Sequence, residues 1–148
     1  MYSRILIATD GSELAGKAME HGLQLAKSVD AIAVVVTVTE AWSAFEMASN
    51  IESGKRDAVE VYEGAARNAA QSILEDAAAQ AASMGVACET RHVNDQKPAE
   101  GIMDTATLED CDLIVMASHG RRGMQKMLLG SQTAEVIALS KTPVLVLR

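Results

Sequence analysis

The chain has 148 residues, of which 49% are apolar and 3% aromatic, and a formal net charge of -7. That length fits one domain whose core needs no disulfide or metal, and the acidic balance leaves no basic stripe for nucleic acid. Cys88 and Cys111 are isolated, with no Cys/His spacing of a zinc site. No signal-peptide pattern or bilayer-length apolar run is present, so a cytoplasmic protein without membrane insertion is expected.

Ile5-Leu6-Ile7-Ala8-Thr9 is a short apolar run closed by Asp10-Gly11-Ser12, which predicts a buried strand and a tight turn. Ser12 is a good N-cap, with Glu13 in the first turn, and Ala15, Met19, Leu23 and Ala26 recur at helical spacing. Residues 31–39 are almost continuously apolar, as a parallel strand buried on both faces must be. From 40 to about 55 the pattern weakens, and Trp42 and Phe45 lie scattered in a long loop, either a lid or an oligomer contact. Residues 56–84 combine helix-forming Ala, Glu and Gln with an apolar stripe, and Gly85 stops that helix. Residues 86–93 predict a strand, the most polar of the set and so an edge. Pro98 opens a helix carrying Ile102, Met103 and Ala106. Residues 111–117 hold another buried strand, 118–130 a loop, and Ser131 is expected to cap a helix reaching about Ser140. Thr142-Pro143 breaks it, and Val144-Leu145-Val146-Leu147 is the last strand.

Strand and helix alternate throughout. This predicts an α/β fold: one domain, 1–148, with a single doubly wound five-stranded parallel sheet and helices on both faces. Two strand orders are natural, 2-1-3-4-5 and 3-2-1-4-5. The unusual strand ends are the first, Thr9-Asp10-Gly11-Ser12, and the fourth, Ala117-Ser118-His119-Gly120. Order 3-2-1-4-5 makes these strands neighbours at the switch point, where open parallel sheets bind ligands. Gly120 permits close backbone approach or positive φ. Gly130-Ser131 stands at a helix start, where free N–H groups and the dipole attract an anion. Arg121, Arg122 and Lys126 add positive charge. The loop is neither a Walker A loop nor a G-x-G-x-x-G fingerprint, and a glycine before a capped helix is common in sheets that bind nothing.

Gly120, nine intervening residues, and Gly130-Ser131 match the G-x2-G-x9-G-[ST] loop of nucleotide-binding universal stress proteins, and the chain resembles that family. The opening Ile5-Leu6-Ile7-Ala8-Thr9-Asp10-Gly11-Ser12 and the closing Thr142-Pro143-Val144-Leu145-Val146-Leu147 resemble it too. The resemblance implies a Rossmann-like fold of the adenine nucleotide alpha hydrolase type. It implies ATP as ligand, with Mg²⁺ as a candidate bridge between its phosphates. By similarity Ala8, Thr9 and Asp10 face the adenosine, Val38 offers backbone hydrogen bonds to adenine, and Met116 and Ala117 line base and ribose. Gly120, Gly130, Ser131 and Gln132 would hold the phosphates, with Arg121 as a further contact. Homodimers through the last strand, with a tetramer as a further option, and an unidentified protein partner are also implied. Two positions depart from the pattern. Ala117 replaces the motif's first glycine, which is expected to lower affinity, and Ala8 stands where some members carry proline.

His119 and Ser118 lack a visible triad or G-x-S-x-G elbow, so packing or capping is the expected role of His119. No Asp or Glu lies in the loop after the fourth strand, so at most slow hydrolysis is expected. The leading function is an ATP-binding stress or transport regulator. A slow ATPase or phosphotransferase and a nucleotide-free dimerising protein are the alternatives.

Overall fold

The computed structural model describes residues 1–41, 57–120 and 129–148. Its strands are β1 (Arg4–Ala8), β2 (Ile32–Thr39), β3 (Cys88–Asn94), β4 (Leu113–Ala117) and β5 (Val144–Leu147). The helices among the described residues are α1 (Glu13–Val29), α2 (Ala58–Met84), α3 (Pro98–Leu108) and α4 (Ser131–Leu139). All four strand pairings are parallel, in the order β3-β2-β1-β4-β5. The expected order is the observed one, and it puts β1 beside β4.

Period-two alternation divides the core into two layers. Ile5, Ile7, Val35 and Val115 face Met19 and Leu23 of α1 and Ala77 and Ala81 of α2. Leu6, Ala8, Val34, Val36, Ile114 and Met116 face Ala99, Ile102 and Ala106 of α3 and Val136 of α4. Each central strand must therefore be apolar on both sides, which is why β1, β2 and β4 read as unbroken runs. Two glycines bring helix and sheet close. A Cβ on Gly22 of α1 would stand 2.8 Å from Ile7 Cδ1, and one on Gly101 of α3 would stand 2.8 Å from Val38 Cγ2.

Of the boundaries that shift by a residue or two from the sequence reading, two have a clear physical cause. Val86 does not begin β3: its N–H donates to the Ala81 carbonyl at 2.9 Å, completing the stop of α2 behind the left-handed Gly85. Ser131 does not cap α4. Gly130 is the N-cap, with extended backbone and no side-chain hydrogen bond, and Ser131 is the first helical residue. The long loop falls at residues 42–56, outside the described residues together with Trp42, Phe45 and Arg56.

At the amino ends of the strands Arg4, Glu89, Arg91 and Glu109 form a closed set of ion pairs. Arg4 reaches Glu89 at 3.0 Å and Glu109 at 3.1 Å, while Arg91 reaches Glu89 at 2.6 Å and Glu109 at 2.5 Å. The set accounts for the polarity of edge strand β3. Hydrogen bonds from Arg4 and then Arg91 hold the Glu89 carboxyl below its ordinary range, and those from Arg91 do the same for Glu109. Burial pushes the nearby Cys111 thiol up to about 11, which keeps it protonated and unreactive at neutral pH.

Candidate functional site

The carboxyl ends of β1, β2 and β4 open into a cavity of about 540 Å³. Each strand end is shaped by its own sequence. After β1, the Thr9 N–H donates to the Val36 carbonyl at 3.0 Å, which keeps the pairing to the tip. The Thr9 hydroxyl accepts from the Gly11 N–H at 3.2 Å, and Asp10 Oδ1 accepts from the Ser12 N–H at 2.9 Å. Gly11 takes φ 78°, open to glycine without strain. Ser12 then caps α1 by accepting from the Ala15 N–H, as its type and place dictate.

The loop after β4 is pinched at its base. The Gly130 N–H donates to the Ser118 carbonyl at 2.7 Å, and the buried Thr133 hydroxyl donates to the Ala117 carbonyl at 2.9 Å. A Cβ on Gly130 would lie 3.2 Å from His119 Cα, so the pinch has little room for a side chain. Gly120 is required for close approach and not for positive φ: a Cβ there would stand 2.5 Å from Asp10 Oδ2. The β1 and β4 loops thus touch at Asp10 and Gly120.

Ala8, Thr9, Asp10, Val38, Met116, Ala117, Gly120, Gly130, Ser131 and Gln132 all line this one cavity. Arg121 lies outside the described residues, as do Arg122 and Lys126. Ala117 has no positive φ, so its methyl imposes no backbone strain. Gln132 is placed at the cavity, but its side chain is engaged with α3, where Oε1 accepts from the Ala99 N–H at 2.9 Å and so serves the start of that helix. His119 lines the cavity, and its Nδ1 lies 3.3 Å from Ser118 Oγ. Among the described residues no carboxylate joins this pair, so no triad is assembled. Nor do the described residues hold a group of three or more His, Cys, Asp or Glu able to bind a metal ion.

Sequence reasoning missed one wall. Tyr62, Ala66, Ala69, Ala70 and Ile73 of α2 close the cavity beyond β2. The signal was helix length: 27 residues rise about 40 Å, whereas the eight of β2 span about 27 Å, so α2 must overhang the sheet.

The arrangement has definite chemistry. α4 starts without a side-chain cap, so its first N–H groups face a site suited to an anion. Asp10, which already accepts from the Ser12 N–H, is a carboxylate able to accept from a ligand donor such as a sugar hydroxyl as well. Ala8, Val36, Val38 and Met116 supply an apolar slot for a ring. A family model for the universal stress protein family matches residues 1–148. The chain belongs to this family. The universal stress protein YxiE of Bacillus subtilis is 32% identical over all of both chains. Universal stress protein MJ0577 of Methanocaldococcus jannaschii is 30% identical over 100% of this chain and 96% of its own. A solved structure of MJ0577 superposes with a TM-score of 0.77, covering 99% of this chain and 96% of that one. A universal stress protein solved in complex with cAMP is 27% identical, with a TM-score of 0.71 over 99% of this chain and 97% of its own. Among the described residues of this family member, no helix is long and apolar enough to cross a membrane.

Proposed function

We propose that the chain is a cytoplasmic adenine-nucleotide-binding regulator whose preferred ligand is ATP and whose nucleotide state sets its assembly or its affinity for a protein partner. The observation that carries this reading is the contact of Asp10 with Gly120 beside the uncapped start of α4 at Gly130-Ser131. It brings a sugar acceptor and an anion-binding helix start into one cavity. The family member crystallised with cAMP supports the adenine nucleotide class.

In this reading the base lies in the slot of Val38 and Met116, the ribose meets Asp10 and Ala117, and the phosphates run along Gly120 to the N–H groups at the start of α4. The Thr133 hydroxyl is committed to the Ala117 carbonyl and Gln132 Oε1 to the Ala99 N–H, so the Ser131 hydroxyl, Gln132 Nε2 and the backbone do the holding. Where Mg²⁺ accompanies ATP it would neutralise phosphate charge, and the Ser131 hydroxyl would be an oxygen donor for it at the phosphate end of the cavity. Arg121, outside the described residues, is a further phosphate contact only as the family resemblance implies. Among the described residues no carboxylate is hydrogen-bonded to Ser118 or His119 to orient the imidazole as a base, which favours a switch over an ATPase. Edge strand β5 is suited to pair with β5 of a second copy, giving a homodimer from which a tetramer can be built.

Gly130→Val tests the site. The branched side chain forces His119 and Ser118 apart, and the variant is expected to lose ATP binding in calorimetry while keeping its far-ultraviolet circular dichroism. Unchanged affinity would show that the phosphates bind elsewhere.

A further inference from the structure

The overhanging start of α2 carries a phenol ring into the cavity wall, Tyr62, at the opposite end from the imidazole of His119 on the β4 loop. The cavity-lining residues that follow it over the next two turns of α2 are small: Ala66, Ala69 and Ala70. The Tyr62 hydroxyl donates to the Glu40 carbonyl at 3.2 Å. Glu40 directly follows β2, and Val38, Thr39 and Glu40 line the same end of the cavity. The hydrogen bond therefore fixes the ring beside the tip of β2. Gly130 and Ser131 lie across β1 at the tip of β4, about two strand spacings or 10 Å away. A ligand anchored by its phosphates at α4 and by its sugar at Asp10 has its base at this end.

We propose that Tyr62 is a specificity-determining residue for the base, packing its ring against a purine and held in place by the Glu40 carbonyl. The proposal rests on the nucleotide reading above and adds a selector to it. An aromatic ring offers a base a stacking partner whatever the base's hydrogen-bonding edge, and a larger purine gains more contact than a pyrimidine. Val38 and Met116 make the slot apolar, but only a ring tethered at its rim rewards a flat bicyclic base.

The test is calorimetric titration of the full chain, Tyr62→Phe and Tyr62→Leu with ATP, UTP and inorganic tripolyphosphate. Leucine retains bulk and helix propensity, and position 62 is only half-buried, so the fold is kept, as thermal melts will check. Tyr62→Leu is expected to weaken ATP binding by about tenfold, the order of one base–aromatic stack. UTP should weaken less, so that the preference for ATP shrinks, and tripolyphosphate should bind as before. Tyr62→Phe, which keeps the ring and loses the tether, should fall between the unaltered chain and Tyr62→Leu. ATP binding that Tyr62→Leu leaves unchanged overturns the assignment of Tyr62 alone. So does an equal loss for ATP, UTP and tripolyphosphate. Failure of the unaltered chain to bind ATP overturns the nucleotide reading, and this assignment with it.

Discussion

In the proposed nucleotide reading, Asp10 and Ala117 act on affinity in opposite senses. A carboxylate accepting from sugar hydroxyls contributes about 1.5–3 kcal/mol per charged hydrogen bond. Asp10→Ala should therefore weaken ATP by about tenfold or more and abolish any preference for ATP over dATP, read by competition binding. A retained preference would place the sugar elsewhere. Ala117 puts a methyl where the family motif has hydrogen. Ala117→Gly is expected to raise ATP affinity, while glycine inside β4 lowers stability by about 0.5–1 kcal/mol in chemical denaturation. That both residues stand at one cavity was legible in the sequence, Ala117 from the motif spacing and Asp10 from the turn that closes β1. The duty of Gln132 was not, since its partner Ala99 lies 33 residues away and a hydrogen bond across that separation leaves no local pattern. Gly120 shows the same limit: its identity signalled a constraint, and only the facing Asp10 shows that the constraint is space.

At the scale of elements, β1, β2 and β4 could be read directly, because burial on both faces forces unbroken apolar runs. The start of β3 could not, because the N–H of Val86 serves the helix stop before it, and that local hydrogen bond overrides its strand propensity. Helix α3 docks through the missing side chain of Gly101. Gly101→Ala should cost about 1–3 kcal/mol by overpacking against Val38, measured by urea denaturation, and should weaken ATP binding because Val38 lines the site. The ion pairs of β3 and α3 make a prediction with a definite sign. Glu89 and Glu109 have folded pKa values below their ordinary 4.5. Their stabilisation is full above that pH and disappears as pH falls through the folded values. Glu109→Gln should thus melt at a lower temperature than the unaltered chain at pH 7, with the gap closing toward pH 3. An equal gap at both would contradict the account.

For the whole molecule, the strand order brings the β1 and β4 loops together and leaves β3 and β5 as edges. The charges of Glu89 and Arg91 guard the first of these. The second carries Leu145, 36% exposed, with Ile137 and Leu139 exposed on the α4 beside it. If β5 pairs with its copy, the protein sediments as a dimer, and Leu145→Lys shifts it toward monomer in analytical ultracentrifugation. A dimer that Leu145→Lys leaves intact must use another surface.

The central claim is that the cavity at the tips of β1, β2 and β4 holds an adenine nucleotide. The most direct measurement is to denature the purified protein, identify any nucleotide released by chromatography, and titrate the refolded, emptied chain with ATP. The account predicts a released adenine nucleotide, or ATP binding below millimolar concentration with one site per chain. An empty protein that also ignores ATP at millimolar concentration would contradict it.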